Sequence, residues 1–257
     1  MGDMWKQPKT KLGRRNMRYF AWHELVYQRL IASGATNWDR TPYDEYELRP
    51  LVAKVSRQWL RPGQRVLVLG CGTGPDACHF AEAGMRVTGI DISPTAIDLA
   101  KKQAADRGLD VTWIVGDACD LSRAGRFDAV LDAHMLHCLA LAPDRTALIR
   151  SVAGTLVVGG RFIVATMIAD KATTFPDTCE LDDEGILWTK PSDDFASVDC
   201  VEREGRRWIP TRYVLRDPSP LRDALATAGL SIEWQTIVPP GNEGDPAELQ
   251  IVCRKTA

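Results

Sequence analysis

Apolar positions along the chain follow two rhythms that take turns between residues 65 and 168. Continuous apolar runs predict strands at "RVLVLG" (65–70), "RVTGID" (86–91), "VTWIVGD" (111–117), "FDAVLDA" (127–133) and "RFIVATMI" (161–168). Apolar residues at helical spacing predict helices over 75–84, 93–108 and about 143–157. Ser93 stands as an N-cap with Pro94 in the first turn, and Gly159 and Gly160 read as the stop of the third helix. A short polar segment separates the third strand from the fourth. Apolar strands that alternate with helices predict a parallel sheet covered on both faces.

Upstream, 16–32 and 48–60 have amphipathic helical spacing, with Asn16 as a candidate cap, and the turn-rich "SGATNWDRTPYDEYE" lies between them. The rhythm breaks at Ala169. Residues 169–216 read as acidic and irregular, with one strand-like piece, "RWIPTRYVL"; such a stretch is expected to be a lid or subdomain. A helix over 219–230 and strands over 231–238 and 247–254 close the chain. The link "PPGNEGDP" is too short for a parallel crossover, so the last two strands must form an antiparallel hairpin. The expected organisation is one α/β domain over 1–257: an N-terminal helical cover (1–60), a core (61–168 and 217–257) and the acidic lid (169–216).

Composition narrows the function. With 257 residues, 45% hydrophobic and 26% charged, the chain can bury a core without disulfide or metal staples. A net charge of −2 offers no global field for nucleic acid. No apolar run is long enough for a membrane span, so no membrane partner is expected. "MGDMWKQPKTKLGRRNMRYF" lacks the apolar region of a secretory signal, and Lys6 breaks the myristoylation pattern. Seven scattered cysteines suit reduced thiols in a cytoplasm. The charge is uneven, however. Residues 1–18 are basic, and 177–205 hold ten acids against Lys190 and Arg203. That acidic stretch is either a solvated face or the border of a site for a cationic ligand.

Candidate chemistry begins at "VLVLGCGTGPDACHFA". Gly70, Gly72 and Gly74 make a tight turn between strand and helix. The dinucleotide fingerprint G-x-G-x-x-G would put a glycine where Pro75 stands. Asp91 ends the second strand, where an acid can accept from ribose hydroxyls; Asp117, in "GDA", can accept from an exocyclic amine such as that of adenine. The alternatives are glycines that serve packing alone, Asp91 as a helix cap and Asp117 as an ordinary loop acid.

"VLVLGCGTG", "VTGIDIS", "IVGDA", "FDAVLDAHMLHCL" and "GGRFIVATM" together resemble the ordered motifs of class I S-adenosylmethionine-dependent methyltransferases. The likeness covers about 60–168 and, less specifically, 217–257. It implies a doubly wound seven-stranded sheet, mostly parallel, with the last strand antiparallel. It implies S-adenosylmethionine as cofactor and S-adenosylhomocysteine as product. Gly70, Cys71, Gly72, Thr73 and Gly74 would lie against the methionine part, Asp91 and Ile92 at the ribose, Asp117 and Ala118 at the adenine. Asp132 and Ala133 would flank the methionine end, and Tyr46 would belong to a segment folded over the cofactor. "FAEAGMRVTGIDISPTAI" and "NWDRTPY" are further similar to the thiopurine and thiol branch, which tilts the acceptor toward a small molecule.

His134 and His137, in "DAHMLHC", follow the fourth strand at the ligand edge; either can take a proton from a phenol, thiol or amine, or else pack structurally. Neither His134, His137 and Cys138 nor the Cys71–Cys78 pair has zinc-site spacing, so no metal is expected. Tyr19 and Trp22 read as helix core, Trp38, Tyr43 and Tyr46 as candidate cofactor cover, and Trp188, Trp208 and Tyr213 as candidates to shape an acceptor pocket. The expected activity is methyl transfer to an N, O or S nucleophile of a small molecule. Three alternatives remain. A protein or nucleic-acid acceptor is disfavoured by the charge and by "DAHM" where an N-P-P-Y-type motif would stand. A nicotinamide oxidoreductase is disfavoured by Pro75 and the terminal hairpin. A non-catalytic cofactor-binding subunit is disfavoured by the elaborated lid.

Overall fold

A computed structural model describes residues 19–191, 200–203 and 205–257. Seven strands form the main sheet: β1 (Arg65–Leu69), β2 (Arg86–Asp91), β3 (Val111–Val115), β4 (Phe127–Ala133), β5 (Leu156–Ile168) and the late pair Leu230–Val238 and Ala247–Lys255. Between β5 and that pair lie β6 (Cys179–Leu181), β7 (Ile186–Thr189), β8 (Val201–Arg203) and β9 (Arg206–Tyr213), which makes the late pair β10 and β11. The main sheet runs β10-β11-β5-β4-β1-β2-β3. β1 to β5 are parallel, and β11 lies antiparallel between β5 and β10. The sheet is therefore doubly wound, with its order reversing between β1 and β4, where a crevice opens at the carboxyl ends of the strands.

Helices cover both faces: α1 (His23–Ala32), α2 (Arg49–Gln58), α3 (Pro75–Glu82), α4 (Pro94–Asp106), α5 (Ala142–Thr155) and α6 (Ser219–Thr227). Alternate β1 residues feed the two cores. Leu67 and Leu69 pack with Leu148, Val152 and Leu225, whereas Val66 and Val68 pack with Val52, Val55, Phe80 and Ile97. This two-sided burial is why β1 reads as unbroken apolar sequence. Ser93 caps α4 by accepting from the Ala96 N–H at 3.0 Å, as its position before Pro94 predicts. Glu24 of α1 accepts from the Ser93 hydroxyl and from the Thr95 N–H and hydroxyl, which fixes the cover onto the first turn of α4.

The structure departs from the expected elements in three places. The first helix begins as a 3₁₀ turn, Tyr19–Trp22, before α1; Asn16 lies outside the described residues. α5 ends at Thr155 without help from Gly159 and Gly160, which belong to β5. Lys255 of β11 donates to the Ala153 and Leu156 carbonyls at 2.7 and 3.1 Å and so closes the helix end. The glycines serve a bulge: Phe127 pairs with Leu156 but Ala129 with Arg161, and Gly159 takes φ +78° within the extra residues. Finally, 169–216 is not structureless. β6, β7, β9 and β8 form a four-stranded antiparallel sheet in that order. Asp182 organises the β6–β7 turn by accepting from the Glu184 and Ile186 N–H groups (3.0 and 2.8 Å) and from the Trp188 indole (2.6 Å). Strands of three or four residues are too short to show a period, which is why only "RWIPTRYVL", mostly β9, was visible as a strand. Among the described residues no helix is long and apolar enough to cross a membrane.

Candidate active site

A cavity of about 370 Å³ opens at the carboxyl ends of β1, β2 and β4, within the size range of small-ligand sites. Its floor is the turn after β1. Gly70, Gly72 and Gly74 all adopt positive φ (+57°, +53° and +93°), a conformation that costs glycine little. Close approach adds to this at all three. A Cβ would stand 2.8 Å from the Met135 Cβ at Gly70, 2.5 Å from the Tyr27 hydroxyl at Gly72 and 2.7 Å from the Trp113 ring at Gly74. Gly70, Cys71, Gly72 and Thr73 face the cavity. Gly74 does not: it starts α3 and admits Trp113 behind the turn, so its expected place against a ligand gives way to packing.

Asp91 is buried at the end of β2 and accepts from the Gly72 and Ser93 N–H groups, both at 2.8 Å. Burial raises its carboxyl to about 6, against the pull of those two hydrogen bonds. It faces the cavity with Ile92 and therefore ties the glycine turn to the wall. Asp117, beyond the end of β3, accepts from the Cys119 N–H at 2.9 Å and also faces the cavity, with Ala118. Asp132 departs from expectation. It is fully buried behind the wall, and its carboxylate accepts from the Met135 and Leu136 N–H groups at 3.1 and 2.8 Å. Burial raises it to about 7. Its place is to shape the turn that carries residues 134–138, while its neighbour Ala133 lines the cavity.

Three buried polar atoms on this side find no hydrogen-bond partner: the Tyr46 hydroxyl, the Thr73 hydroxyl and one Asp76 carboxylate oxygen. All three residues line the cavity. Leaving such groups unsatisfied costs about 1–3 kcal/mol each, so together they mark a seat for a polar ligand. Burial raises Asp76 to about 7. Sequence reasoning passed over Asp76, because an acid in the first turn of a helix is common; its only signal was its place straight after the glycine turn and Pro75.

His134 and His137 sit 5.5 Å apart between ring centres but in opposite states. His134, at φ +60°, shares a hydrogen bond with Glu248 of β11 and has its other ring nitrogen 3.9 Å from Glu47. Burial disfavours its charge, yet the Glu248 hydrogen bond and the charges of Glu248, Glu47 and Asp132 outweigh burial and push the imidazole up to about 9. It is therefore an imidazolium near neutral pH, unable to accept a proton, which removes it as a general base. His137 is buried, and burial, with Arg212 nearby, holds it well below its ordinary value; its Nδ1 has no partner. Glu47, His134 and Glu248 offer three ligand-type atoms within 4.8 Å of one another. As ligands to a divalent cation they would require the neutral imidazole, and sequence spacing gave no sign of the set because its members come from three distant segments.

Among the described residues the insertion reaches the cavity through one residue. Arg212 of β9 lines it, with its guanidinium 5.5 Å from the Trp22 ring, while Trp188, Trp208 and Tyr213 do not. Trp208 is buried within the insertion, Tyr213 stacks on Arg145 at 3.4 Å, and Trp188 lies 4.3 Å from the Arg203 guanidinium. None of the described residues of the acidic stretch 177–205 lines the cavity either. Trp38 and Tyr46 line it from the cover; Tyr43 instead braces the glycine turn, donating to the Thr73 carbonyl at 3.1 Å.

A cavity at the switch point of a doubly wound sheet defines a nucleotide-type ligand site, and the antiparallel β11 separates the sheet from the dinucleotide dehydrogenases. Residues 66–160 match the family model described as a methyltransferase domain. Over that segment the chain is similar to methyltransferase domains. It is 35% identical over 150 residues to the ubiquinone biosynthesis O-methyltransferase of Xanthomonas axonopodis pv. citri, covering 56% of this chain and 62% of that protein. It is 34% identical over 140 residues to the 2-heptyl-1-hydroxyquinolin-4(1H)-one methyltransferase of Mycobacteroides abscessus, covering 54% and 60%. The matches thus span about three fifths of the length of these relatives. The 1,6-didemethyltoxoflavin-N1-methyltransferase of Burkholderia thailandensis, solved with 1,6-didemethyltoxoflavin and S-adenosylhomocysteine, shares the fold over 96% of this chain and 94% of its own, with TM-score 0.63 and 20% identity.

Proposed function

We propose that the protein moves the methyl group of S-adenosylmethionine onto a small-molecule acceptor. The observation that carries this reading is the cluster of unsatisfied polar atoms beside the glycine turn, on Tyr46, Thr73 and Asp76. Their chemistry fits the amino-acid end of that cofactor, with a carboxylate for the ammonium and hydroxyls for the carboxylate. Asp91 would accept from the ribose and Asp117 from the adenine amine, with Gly70 and Gly72 leaving room for backbone approach. The bound cofactor supplies an electrophilic methyl on a positively charged sulfur. The chain's own part is to align an acceptor with that methyl and exclude water, an effect worth roughly 7–11 kcal/mol of barrier at best. The cover and Arg212 roof the cavity and serve that exclusion. His137, uncharged and with Nδ1 unpaired, is the histidine placed to hydrogen-bond the acceptor.

The Mycobacteroides relative is named for a small-molecule acceptor, and a cavity of about 370 Å³ supports the same class here. Calorimetry with S-adenosylhomocysteine and with NAD tests the proposal. Saturable binding of S-adenosylhomocysteine and none of NAD is expected, and the reverse result would overturn it.

A further inference from the structure

A second part of the cavity lining differs in character. It comes from the Tyr19–Trp22 turn, the start of α1, residues 134–139 and β9. Phe20, Met135 and Leu139 are among its apolar residues, and its polar groups include His23, His137 and Arg212 beside the paired His134. The His23 and His137 imidazoles are neutral. Burial and Arg212 hold His23 down to about 3 while its Nδ1 bonds the Phe20 carbonyl at 2.6 Å, and His137 is held well below its ordinary value in the same way. His134 is matched by Glu248 and Glu47, which leaves Arg212 as the cation of this lining without a carboxylate beside it. Among the described residues no carboxylate pairs with it; it donates to the Thr211 carbonyl at 2.8 Å. A guanidinium facing a largely apolar cavity with no counter-charge has unused donors suited to a carboxylate or other oxyanion. A second group points the same way: His137 is 9% exposed, lines the cavity and has a ring nitrogen with no partner. The charges that act most on Asp76 and Asp91 are those of His134, Asp39, Glu248 and Glu24.

We propose that the Arg212 guanidinium and the His137 imidazole form a subsite for an anionic oxygen group on the acceptor, which makes that acceptor an aromatic or similarly flat organic acid. The anion would take the open donors of Arg212 and a hydrogen bond from His137, with its apolar body against Phe20, Met135 and Leu139. This rests on the methyl-transfer reading only in calling the ligand an acceptor. A cationic acceptor, suggested by the acidic stretch of sequence, would meet unfavourable charge on this wall.

The test uses protein saturated with S-adenosylhomocysteine and three probes of one shape: benzoate, benzamide and benzylammonium, titrated at pH 7.5. Benzoate is expected to bind at least tenfold tighter than benzamide, with benzylammonium weakest. Arg212→Met should remove the preference and leave S-adenosylhomocysteine affinity within twofold, and Arg212→Lys should keep part of it. Melting temperatures of both variants verify folding. Equal binding of benzoate and benzamide, preference for benzylammonium, or no binding of any probe at 10 mM overturns the subsite. Should Arg212→Met cost S-adenosylhomocysteine affinity, the guanidinium belongs to the cofactor's carboxylate and the proposal again fails. Failure of S-adenosylhomocysteine to bind the wild type breaks the methyl-transfer reading instead.

Discussion

The two walls of the cavity are made by different means. The wall at the glycine turn hangs on the carboxyl ends of β1, β2 and β4, and its polar groups are acids: Asp91, Asp117 and Asp76. The second wall is assembled from three segments far apart in sequence, Tyr19–Trp22 with His23, residues 134–139, and Arg212 of the insertion, and with His134 matched by Glu248 and Glu47 its uncompensated charge is positive. The first wall is fixed by the main sheet. The second depends on pieces laid over it. A cavity acidic at one end and cationic at the other can hold two ligands in one order only.

The sharpest way to break this contrast is Asp91→Ala. The change removes an acceptor from Gly72 and Ser93 and leaves their amide hydrogens without their carboxylate, so the turn itself loosens. Hydrogen bonds to a charged group contribute about 1.5–3 kcal/mol each. S-Adenosylhomocysteine affinity measured by calorimetry should fall on the order of 100-fold, which corresponds to about 2.8 kcal/mol. Wild-type affinity in this variant would show that the acidic wall does not hold the ligand.

Asp76→Asn should come next, with a loss of about tenfold. It also carries a pH signature. Burial raises the Asp76 carboxyl to about 7, so at pH 6 it is mostly protonated and a poor partner for an ammonium. As pH rises through 7 it ionises, and affinity for S-adenosylhomocysteine should increase. The amide cannot ionise, so the variant's affinity should be flat between pH 6 and 8. A parallel rise in both proteins would place the titrating group elsewhere.

How legible each wall was follows from how it is built. Strands β2 and β4 were readable to within a residue or so because most of their residues are buried, and the β10–β11 hairpin because its link is too short for a parallel crossover. Gly70 and Gly72 were readable because close backbone approach tolerates no side chain. Gly74 has the same sequence signature for a different reason, the Trp113 ring behind it, and sequence alone does not separate the two. Asp132 misled in a similar way: an acid at a strand end looks alike whether it faces a ligand or the backbone of the next turn. The second wall was nearly invisible. Arg212 lies in a short-stranded insertion, and nothing local to "PTRYV" says which of its side chains points inward. His134 and His137 looked equivalent because what separates them, Glu248 and Glu47 on one and deep burial on the other, comes from outside their own segment.

That last difference makes the third test, Glu248→Gln. His134 titrates at about 9 in the folded protein against about 6.5 unfolded. The sign follows: its pairing stabilises the fold fully below pH 6.5, and that contribution is lost as pH rises through 9. Removing Glu248's charge should lower the His134 value, read from its ring resonances by NMR, and cost ~2 kcal/mol of stability near pH 6. An unchanged titration would mean that Glu47 or another group holds the proton, while His137 should stay neutral in either protein.

The smallest expected effect concerns how the second wall is held in place. α1 carries His23 and joins the main fold through Glu24, which accepts from Ser93 and Thr95 at the start of α4. Asp91 accepts from the Ser93 N–H, so both walls meet at one residue. Glu24→Ala removes the cover's side of that junction without touching Asp91. The cost should be about 1 kcal/mol, a fall of roughly 2–4 °C in melting temperature for a domain of this size. S-Adenosylhomocysteine affinity should change less than threefold, because the acidic wall stays attached to the sheet. Benzoate affinity should fall more, since His23, Phe20 and the surface facing Arg212 move with α1. Equal losses for both ligands would mean that the walls are one mechanical unit after all.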